Sequence, residues 1–596
     1  MSQFFRLAES GIDWLHRRVG KKQFLIISSM LVGLTAGFAA VLLKTIVHYI
    51  KMAITTDYHI RFQYIFYLVF PAVGILLTVI FVRRFLRGNL GRGTATILNT
   101  IAKKNSRLPA HQMYSHVVTS ALTVGFGGSA GLESPIVTTG SAIGSNYGNT
   151  YHLTYKDRTL LLACGAAAGI GAAFNAPIAG LLFALEVLIA DVAVSAFIPL
   201  MIAAATGTLV SKIILRENIL LSFSLRQPFN YHYIPWYMLL GLLAGFVSVY
   251  YSRMFPRIEG YFSHTIKSTW KRIALGGTVL ALLIWIFPSL YGEGYSSIKV
   301  LADNHAAELM QNSLLESFSV NGWIVLCFIG AIMLVKVVAT AVTLGAGGNG
   351  GNFAPSLFVG GYLGFFFAKA MGMLGLSDLP VANFTIVAMS GILSGIFHAP
   401  LTGIFLIAEI TGGYELMIPL MIVSALSYSV VKYFEPYSMD TKRLAKKGEI
   451  FTHNRDRNVL STISVRKILE TDFQIVDTGM TLGGLVDTIA SSKRNIFPVV
   501  DNEGRLEGVI QLDHIREVMF KSEKYDQVTV KQLMLPPPAI VLPDEEMYSV
   551  MRKFDDTQTW NLPVIENGIY IGFISKSGIF SRYREKLMTN IIDHEG

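Results

Sequence analysis

The sequence predicts an all-α polytopic membrane domain of two repeated halves with broken, half-spanning helices, followed by a smaller α/β domain. Three observations predict it. Hydrophobic residues make up 52% of the 596-residue chain and charged residues 15%, where soluble proteins carry about 25% charged residues. The shortfall runs from about residue 24 to residue 434 and then ends. Inside that stretch two unlike sequence blocks each occur twice, in the same order.

These composition shifts divide the chain. Residues 1–22 are an N-terminal segment, 23–448 the membrane domain, 449–460 a linker and 461–596 a tail of ordinary composition. The first apolar run, Phe24 to Leu43, follows Arg17, Arg18, Lys21 and Lys22. It is long enough to cross the hydrocarbon core, which takes about 20 apolar residues. It is too long for a signal peptide. The basic flank holds the N-terminus in the cytoplasm. Lys442, Arg443, Lys446 and Lys447 follow the last apolar run and do the same for the tail. The expectation is a multi-pass protein of a plasma or inner membrane, embedded in lipid, with both termini cytoplasmic.

The net charge of +10 follows this distribution. Its basic residues flank membrane segments rather than forming one patch, which argues against nucleic acid as a partner. Cys164 and Cys327 both lie in apolar segments and read as small buried residues. They offer neither a disulfide framework nor a metal-ligand pattern. No nucleophile–base pair stands out either, so an enzyme is not expected.

The chain holds 54 glycines, many inside apolar territory. Runs such as Pro135 to Tyr147 and Pro355 to Leu363 look too short to span alone. Broken backbone at membrane depth is tolerated where protein or a water-filled cavity covers it. Half-helices meeting inside the membrane would present N–H ends suited to anions.

The repeat locates that meeting point. GFGGSAGLESP, Gly125 to Pro135, matches GAGGNGGNFAP, Gly345 to Pro355. Aligning the prolines superposes Gly127 on Gly347, Gly128 on Gly348 and Gly131 on Gly351. Downstream, FNAPIAGLLFALE, Phe174 to Glu186, matches FHAPLTGIFLIAE, Phe397 to Glu409. Duplicated halves with Gly- and Pro-broken segments mark the binding site of many transport folds, usually with inverted topology. GAGGNG, Gly345 to Gly350, also fits a dinucleotide fingerprint. That reading fails because apolar membrane sequence follows, not the strand–helix context the fingerprint needs.

In each first block, bare glycine backbone leads into a helical segment with Pro135 or Pro355 in its first turn, where a missing N–H costs nothing. The N–H groups of Leu132, Glu133 and Ser134, and of Asn352, Phe353 and Ala354, would face a common cavity. Partial charges there bind an anion loosely enough to release it. Glu133 is out of place among such donors. Its carboxylate can occupy the anion's position and vacate it when protonated or swung away, which makes it a gate and a candidate proton carrier. The bland alternative is a structural Glu paired with an Arg. Glu186 and Glu409 fall at equivalent repeat positions, which favours a structural role such as bonding to the backbone of a neighbouring segment.

These motifs resemble the CLC family of chloride channels and chloride/proton antiporters. GLESP at Gly131 to Pro135 looks like the family's G-x-E-x-P motif, with Glu133 on its gating glutamate. GNFAP at Gly351 to Pro355 looks like G-x-F-x-P, with Asn352 and Phe353 where amides bind the central anion. GAAAGIGAAFNAPIAGLLFALE, Gly165 to Glu186, is the most specific match. The resemblance covers nearly the whole chain and implies an inverted-repeat fold and a homodimer with one anion pathway per subunit. Three positions depart from the pattern. Val187 stands where antiporters usually carry a second glutamate, which favours passive conduction. Arg92, in GRGTA at Gly91 to Ala95, replaces the serine of the family's G-S-G-x-P loop. It would strengthen anion binding, block passage or merely snorkel. The pore tyrosine falls on Tyr437 by local match in EPYSMD and on Asp440 by counting back from Gly448; Tyr437 is preferred.

The tail holds two similar units. FPVVDNEGRLEGVIQLDHI, Phe497 to Ile515, pairs with LPVIENGIYIGFISKSGIF, Leu562 to Phe580. Each reads strand, Asn/Gly turn, strand, helix, and the pair resembles tandem CBS domains. Adenine-nucleotide-binding pairs usually place an Asp just after the second strand. His514 and Gly578 stand there, and Asp513 is one place off. A dimerising platform is therefore favoured over a nucleotide site. The expected function is transport of chloride or similar small anions, channel-like, with chloride the transported ligand and no cofactor. A chloride/proton antiporter is the close alternative. A membrane-anchored nucleotide sensor is the alternative of another class.

Overall fold

A computed structural model describes residues 20–55, 63–88, 90–91, 93–189, 194–216, 227–311, 313, 315–412, 414–446, 460 and 463–592. Arg17, Arg18, Arg92, Lys447 and the linker apart from Leu460 lie outside the described residues. The chain divides into two compact units, Met1–Glu449 and Ile450–Gly596.

The first half of the larger unit holds α1 (Lys21–Thr55), α2 (Gln63–Phe85), α3 (Gly93–Lys103), α4 (Gln112–Gly125), α5 (Glu133–Thr150), α6 (Tyr155–Phe174), α7 (Pro177–Phe183) and α8 (Val194–Leu215). The second holds α9 (Ile234–Gly260), α10 (Thr269–Ile286), α11 (Tyr295–Ala302), α12 (Gly322–Ala346), α13 (Phe353–Met373), α14 (Val381–Phe397), α15 (Pro400–Thr411) and α16 (Met417–Phe434). A short α17 (Met439–Lys446) ends the unit. Among the described residues, nine helical stretches are long and apolar enough to cross a membrane.

The repeat is visible residue by residue. Gly127 and Gly347 both take positive φ, +93° and +121°, which admits glycine and little else. Gly128 N–H donates to Thr123 O and Gly348 N–H to Thr343 O, at 2.9 and 3.0 Å. Asn175 and His398 each end a helix in the left-handed region at φ +55°. Gly131 and Gly351 then pair with each other as an antiparallel bridge, with N–H···O distances of 2.9 and 2.8 Å. Equivalent residues paired antiparallel lie on a local twofold axis, so the two halves meet in opposite senses here.

Three sequence expectations change. The runs from Pro135 and Pro355 are not short. They belong to helices of 18 and 21 residues, about 27 and 31 Å long at 1.5 Å per residue. Half-spanning length falls instead to Pro177–Leu188 and Pro400–Thr411. Much of the glycine serves close packing rather than breakage. A Cβ on Gly140 would meet Gly165 O at 2.1 Å, and one on Gly165 would meet Gly140 O at 1.9 Å. In the second half a Cβ on Gly364 would meet Phe384 O at 2.1 Å. Helices α5 and α6, and α13 and α14, thus touch backbone to backbone, the contact that small residues permit in membrane bundles. Cys164 is buried as expected, but Cys327 is exposed on the outer side of α12.

The smaller unit contains β1 (Val476–Asp477), α18 (Leu482–Ser491), β2 (Ile496–Val500), β3 (Leu506–Gln511), α19 (Leu512–Ile515), α20 (Val530–Leu533), α21 (Met547–Thr557), β4 (Asn561–Glu566), β5 (Ile569–Ser575) and α22 (Lys576–Ile592). Strand β2 pairs parallel with β1 and antiparallel with β3, and β4 pairs antiparallel with β5. Pro498 faces Val509 and Pro563 faces Phe573, with a register shift just after each. The two units of the tail are therefore the same motif used twice. Isolated bridges from Glu470 to Phe573 and from Arg505 to Ile569 link the first unit to β5 of the second.

Candidate functional site

The Gly131–Gly351 bridge brings the starts of α5 and α13 together in the protein interior. Leu132, Glu133, Phe353 and Ala354 are all buried. Helix α5 opens with Glu133 and α13 with Phe353, and neither has a side-chain cap. Their first N–H groups are thus left for something else. One is taken by the protein's own carboxylate. Ala354 N–H points at Glu133 Oε2 at 3.4 Å, while the Tyr295 hydroxyl donates to Glu133 Oε1 at 2.6 Å. Glu133 is 3% exposed. Among the described residues no Arg or Lys lies within ion-pairing distance of it; Arg92 is outside the described residues.

Beside these helix starts lies a cavity of about 60 Å³. A water needs roughly 10–15 Å³ of such space, so several waters or a small anion with part of its shell would fit. Gly93, Thr94 and Ser134 line it from the first half, Gly348 to Phe353 from the second, and Met439 and Asp440 from α17. Of the six residues whose amides were expected to share a cavity, Ser134, Asn352 and Phe353 line this one and Leu132, Glu133 and Ala354 do not. Asn352 also accepts a hydrogen bond from the buried Tyr251 hydroxyl at 3.2 Å. The Phe353 ring stacks on Phe397 at 4.3 Å and meets Phe183 edge-on at 5.5 Å, which fixes the start of α13.

Part of the wall is held by neutral groups. Asn349 N–H donates to Thr123 Oγ1 at 2.9 Å, and its amide nitrogen donates to Thr119 Oγ1 at 2.7 Å. Two carboxylates, Glu259 and Asp440, also line the cavity. Sequence reasoning named Asp440 only as the alternative to Tyr437. Asp440 lines the cavity, whereas Tyr437 is outside the lining and 36% exposed. Glu259, Tyr251 and Tyr295 were missed. The only signal for Tyr295 was the charged GEGY run inside apolar sequence.

The second repeat block forms a reciprocal pair of caps. Glu186 accepts from Leu401 N–H at 2.9 Å, Thr402 N–H at 2.7 Å and the Thr402 hydroxyl at 2.7 Å, all at the start of α15. Glu409 accepts from Ile178 N–H at 3.1 Å and Ala179 N–H at 2.8 Å, at the start of α7. Each half thus caps a helix of the other, which is the structural role expected of these glutamates. Val187 follows Glu186 within a π-helical turn, Ala184–Leu188, and packs half-buried against the core, outside the cavity lining.

Residues 74–432 match the voltage gated chloride channel family, and residues 465–521 and 530–585 each match the CBS domain. The chain belongs to the CLC family. A putative chloride channel protein, ClcB-like, of Ralstonia nicotianae is 30% identical over 371 residues, covering 61% of this chain and 81% of that protein. The H(+)/Cl(−) exchange transporter ClcA of Vibrio vulnificus is 31% identical over 311 residues, half of this chain and 62% of its own length. The fold matches a slow cyanobacterial Cl−/H+ antiporter at TM-score 0.61 and 21% identity, covering 72% of this chain and 98% of that one. A eukaryotic CLC transporter matches at TM-score 0.60 and 18% identity, covering 93% and 97%. This CLC chain is accordingly an integral membrane anion transporter with a C-terminal CBS pair.

Proposed function

We propose that this CLC protein passes chloride or a similar small anion through one pathway in each subunit of a homodimer, with Glu133 as the gate. One observation carries the proposal. The Glu133 carboxylate sits against the Ala354 N–H at the start of α13, where an anion's own charge would be stabilised. It is a built-in competitor for that seat. The amides of Leu132, Glu133, Ser134, Asn352, Phe353 and Ala354 would hold the anion once the carboxylate leaves. Protonation removes the charge that seats Glu133, so acid should open the path. Val187 in place of a second carboxylate supports passive conduction.

A second reading has its own support. Glu259 and Asp440 line the cavity beside Ser134, the neighbour of Glu133. Protons could reach Glu133 from there without passing Val187, which would make the protein a chloride/proton antiporter. Both readings keep the termini cytoplasmic and give the CBS pair a dimerising role. Asp513 is ion-paired with Arg516 at the surface, which leaves it poorly placed for a ribose.

The deciding measurement is chloride efflux from liposomes with proton movement recorded together. Efflux without proton uptake supports the channel. Coupled movement at a fixed ratio supports the antiporter. Glu133→Gln should raise flux and flatten its pH dependence, and unchanged flux with unchanged pH response would remove Glu133 from the gate.

A further inference from the structure

The segment from Leu290 to Tyr295 is clamped over the first glycine loop. Gly292 N–H donates to Gly127 O at 3.1 Å. The Tyr291 ring lies so close to Gly127 that a Cβ there would meet it at 2.0 Å. From the other side Lys336 of α12, with no exposed surface, donates to Gly292 O at 3.0 Å and Leu290 O at 3.5 Å. Its ammonium also sits 4.7 Å from the Phe358 ring centre. Burying an ammonium is costly unless it is well partnered, so this anchor is a specific one. Gly294, at φ +93°, then turns the chain so that Tyr295 begins α11.

The clamp presents two side chains to the gate. The Tyr295 hydroxyl bonds Glu133 at 2.6 Å. Glu293 is ion-paired with Lys51 of α1 at 3.4 Å and lies within electrostatic reach of Glu133, Tyr295 and Lys336. Among the described residues, the titratable groups on the clamp side of Glu133 are thus Tyr295 and Glu293, with Lys51 and Lys336 near Glu293, while Glu259 and Asp440 lie in the cavity on the Ser134 side.

We infer that Tyr295 is the latch that holds Glu133 in the anion's seat, and that Glu293 is the charge that opposes it. The inference rests on the gate reading and adds two positioning residues to it. A hydroxyl donating to a carboxylate stabilises the ionised, seated form more than the protonated one. A second carboxylate nearby favours the opposite, a Glu133 that takes up a proton or swings out. Lys51, partnered with Glu293 at 3.4 Å, tempers that charge. The two residues should therefore move the pH response of transport in opposite directions.

The test uses the full chain in liposomes, with chloride efflux measured against pH. Tyr295→Phe removes one hydrogen bond to a charged group, worth about tenfold or more in the seated population. Half-maximal flux should then move up by roughly one pH unit, and flux at pH 7 should rise. Glu293→Gln should move the midpoint toward acid. On a Glu133→Gln background neither change should have any effect. If Glu133→Gln responds as proposed but Tyr295→Phe leaves the profile unchanged, the latch is wrong and the gate stands. If Tyr295→Phe still shifts the profile on the Glu133→Gln background, Tyr295 acts elsewhere and the latch is also wrong. If Glu133→Gln itself is silent, the gate reading falls first. Should Tyr295→Phe fail to reconstitute, Glu293→Gln decides alone: an alkaline shift or no shift overturns the inference.

Discussion

Removing one of the crossed caps offers a clean separation of structure from transport. Glu186→Ala deletes three charge-assisted hydrogen bonds at the start of α15, and Glu409→Ala deletes two at the start of α7. Bonds to charged groups contribute about 1.5–3 kcal/mol each. Leu401 and Ile178 are partly exposed at 46% and 38%, so the bonds to their N–H groups count toward the low end. That gives about 4–5 kcal/mol for Glu186 and about 3 for Glu409. One kcal/mol shifts the midpoint of a 150–250-residue domain by roughly 2–4 °C, and less in a larger unit. The expected drop is therefore several degrees for each variant, larger for Glu186→Ala. The assay is thermal unfolding in detergent at one fixed scan rate, paired with chloride and proton flux from the same preparation. Purely structural caps predict lowered stability with the wild-type ratio of proton to chloride movement in whatever protein remains folded. A Glu186→Ala protein of wild-type stability and altered proton coupling would refute the cap argument.

Two further outcomes follow from other contacts and a third from the sequence. Gly140→Ala should separate α5 from α6 and yield aggregated protein on size-exclusion chromatography, because its Cβ would meet Gly165 O at 2.1 Å. Gly372→Ala, 3.9 Å from its nearest neighbour, should elute normally. In the tail, burial alone would raise the Glu545 carboxyl, but bonds from Lys553, Ser549 and Leu542 N–H outweigh it and hold it below the usual carboxylate range. Its stabilisation is present above the unfolded value of about 4.3 and is lost as pH falls through the lower folded value. Hydrogen-exchange protection factors at α21 and β4, corrected for the intrinsic rate, should therefore fall at acid pH, and Glu545→Gln should blunt that change. Arg92→Ala should alter chloride affinity measured by calorimetry or flux, and an unchanged affinity and rate would put Arg92 outside the pathway.

What the sequence revealed and what it hid follow from how far apart the partners lie. The repeat, the glycine loops and the paired glutamates were legible because each is a local pattern copied once. Their meaning as caps was legible too, since a duplicated carboxylate beside a duplicated Ala-Pro start implies a duplicated partner. Helix lengths were not, because Gly360 and Gly364 look like breaks in a linear reading. In space they are contact points against Met389 and Phe384. Tyr295 stayed hidden for the opposite reason. It sits 162 residues from Glu133, and nothing local ties a tyrosine after a GEG turn to a glutamate in a GLESP loop.

The distribution of charge around Glu133 bears on conduction against exchange. On one face the Glu133 carboxylate meets Tyr295, with Glu293 behind; the cavity at Ser134 holds Glu259 and Asp440. A passive anion path gains nothing from carboxylates along it, since like charge repels the cargo. A proton carrier gains from having them on both sides, because each can donate to the central group or accept from it. Substituting the cavity pair separates these cases. If Glu259→Gln with Asp440→Asn raises chloride flux and no proton movement existed to lose, the acids only obstruct an anion path. If the double variant loses proton movement while chloride still passes, those two carboxylates do the work that Val187 cannot.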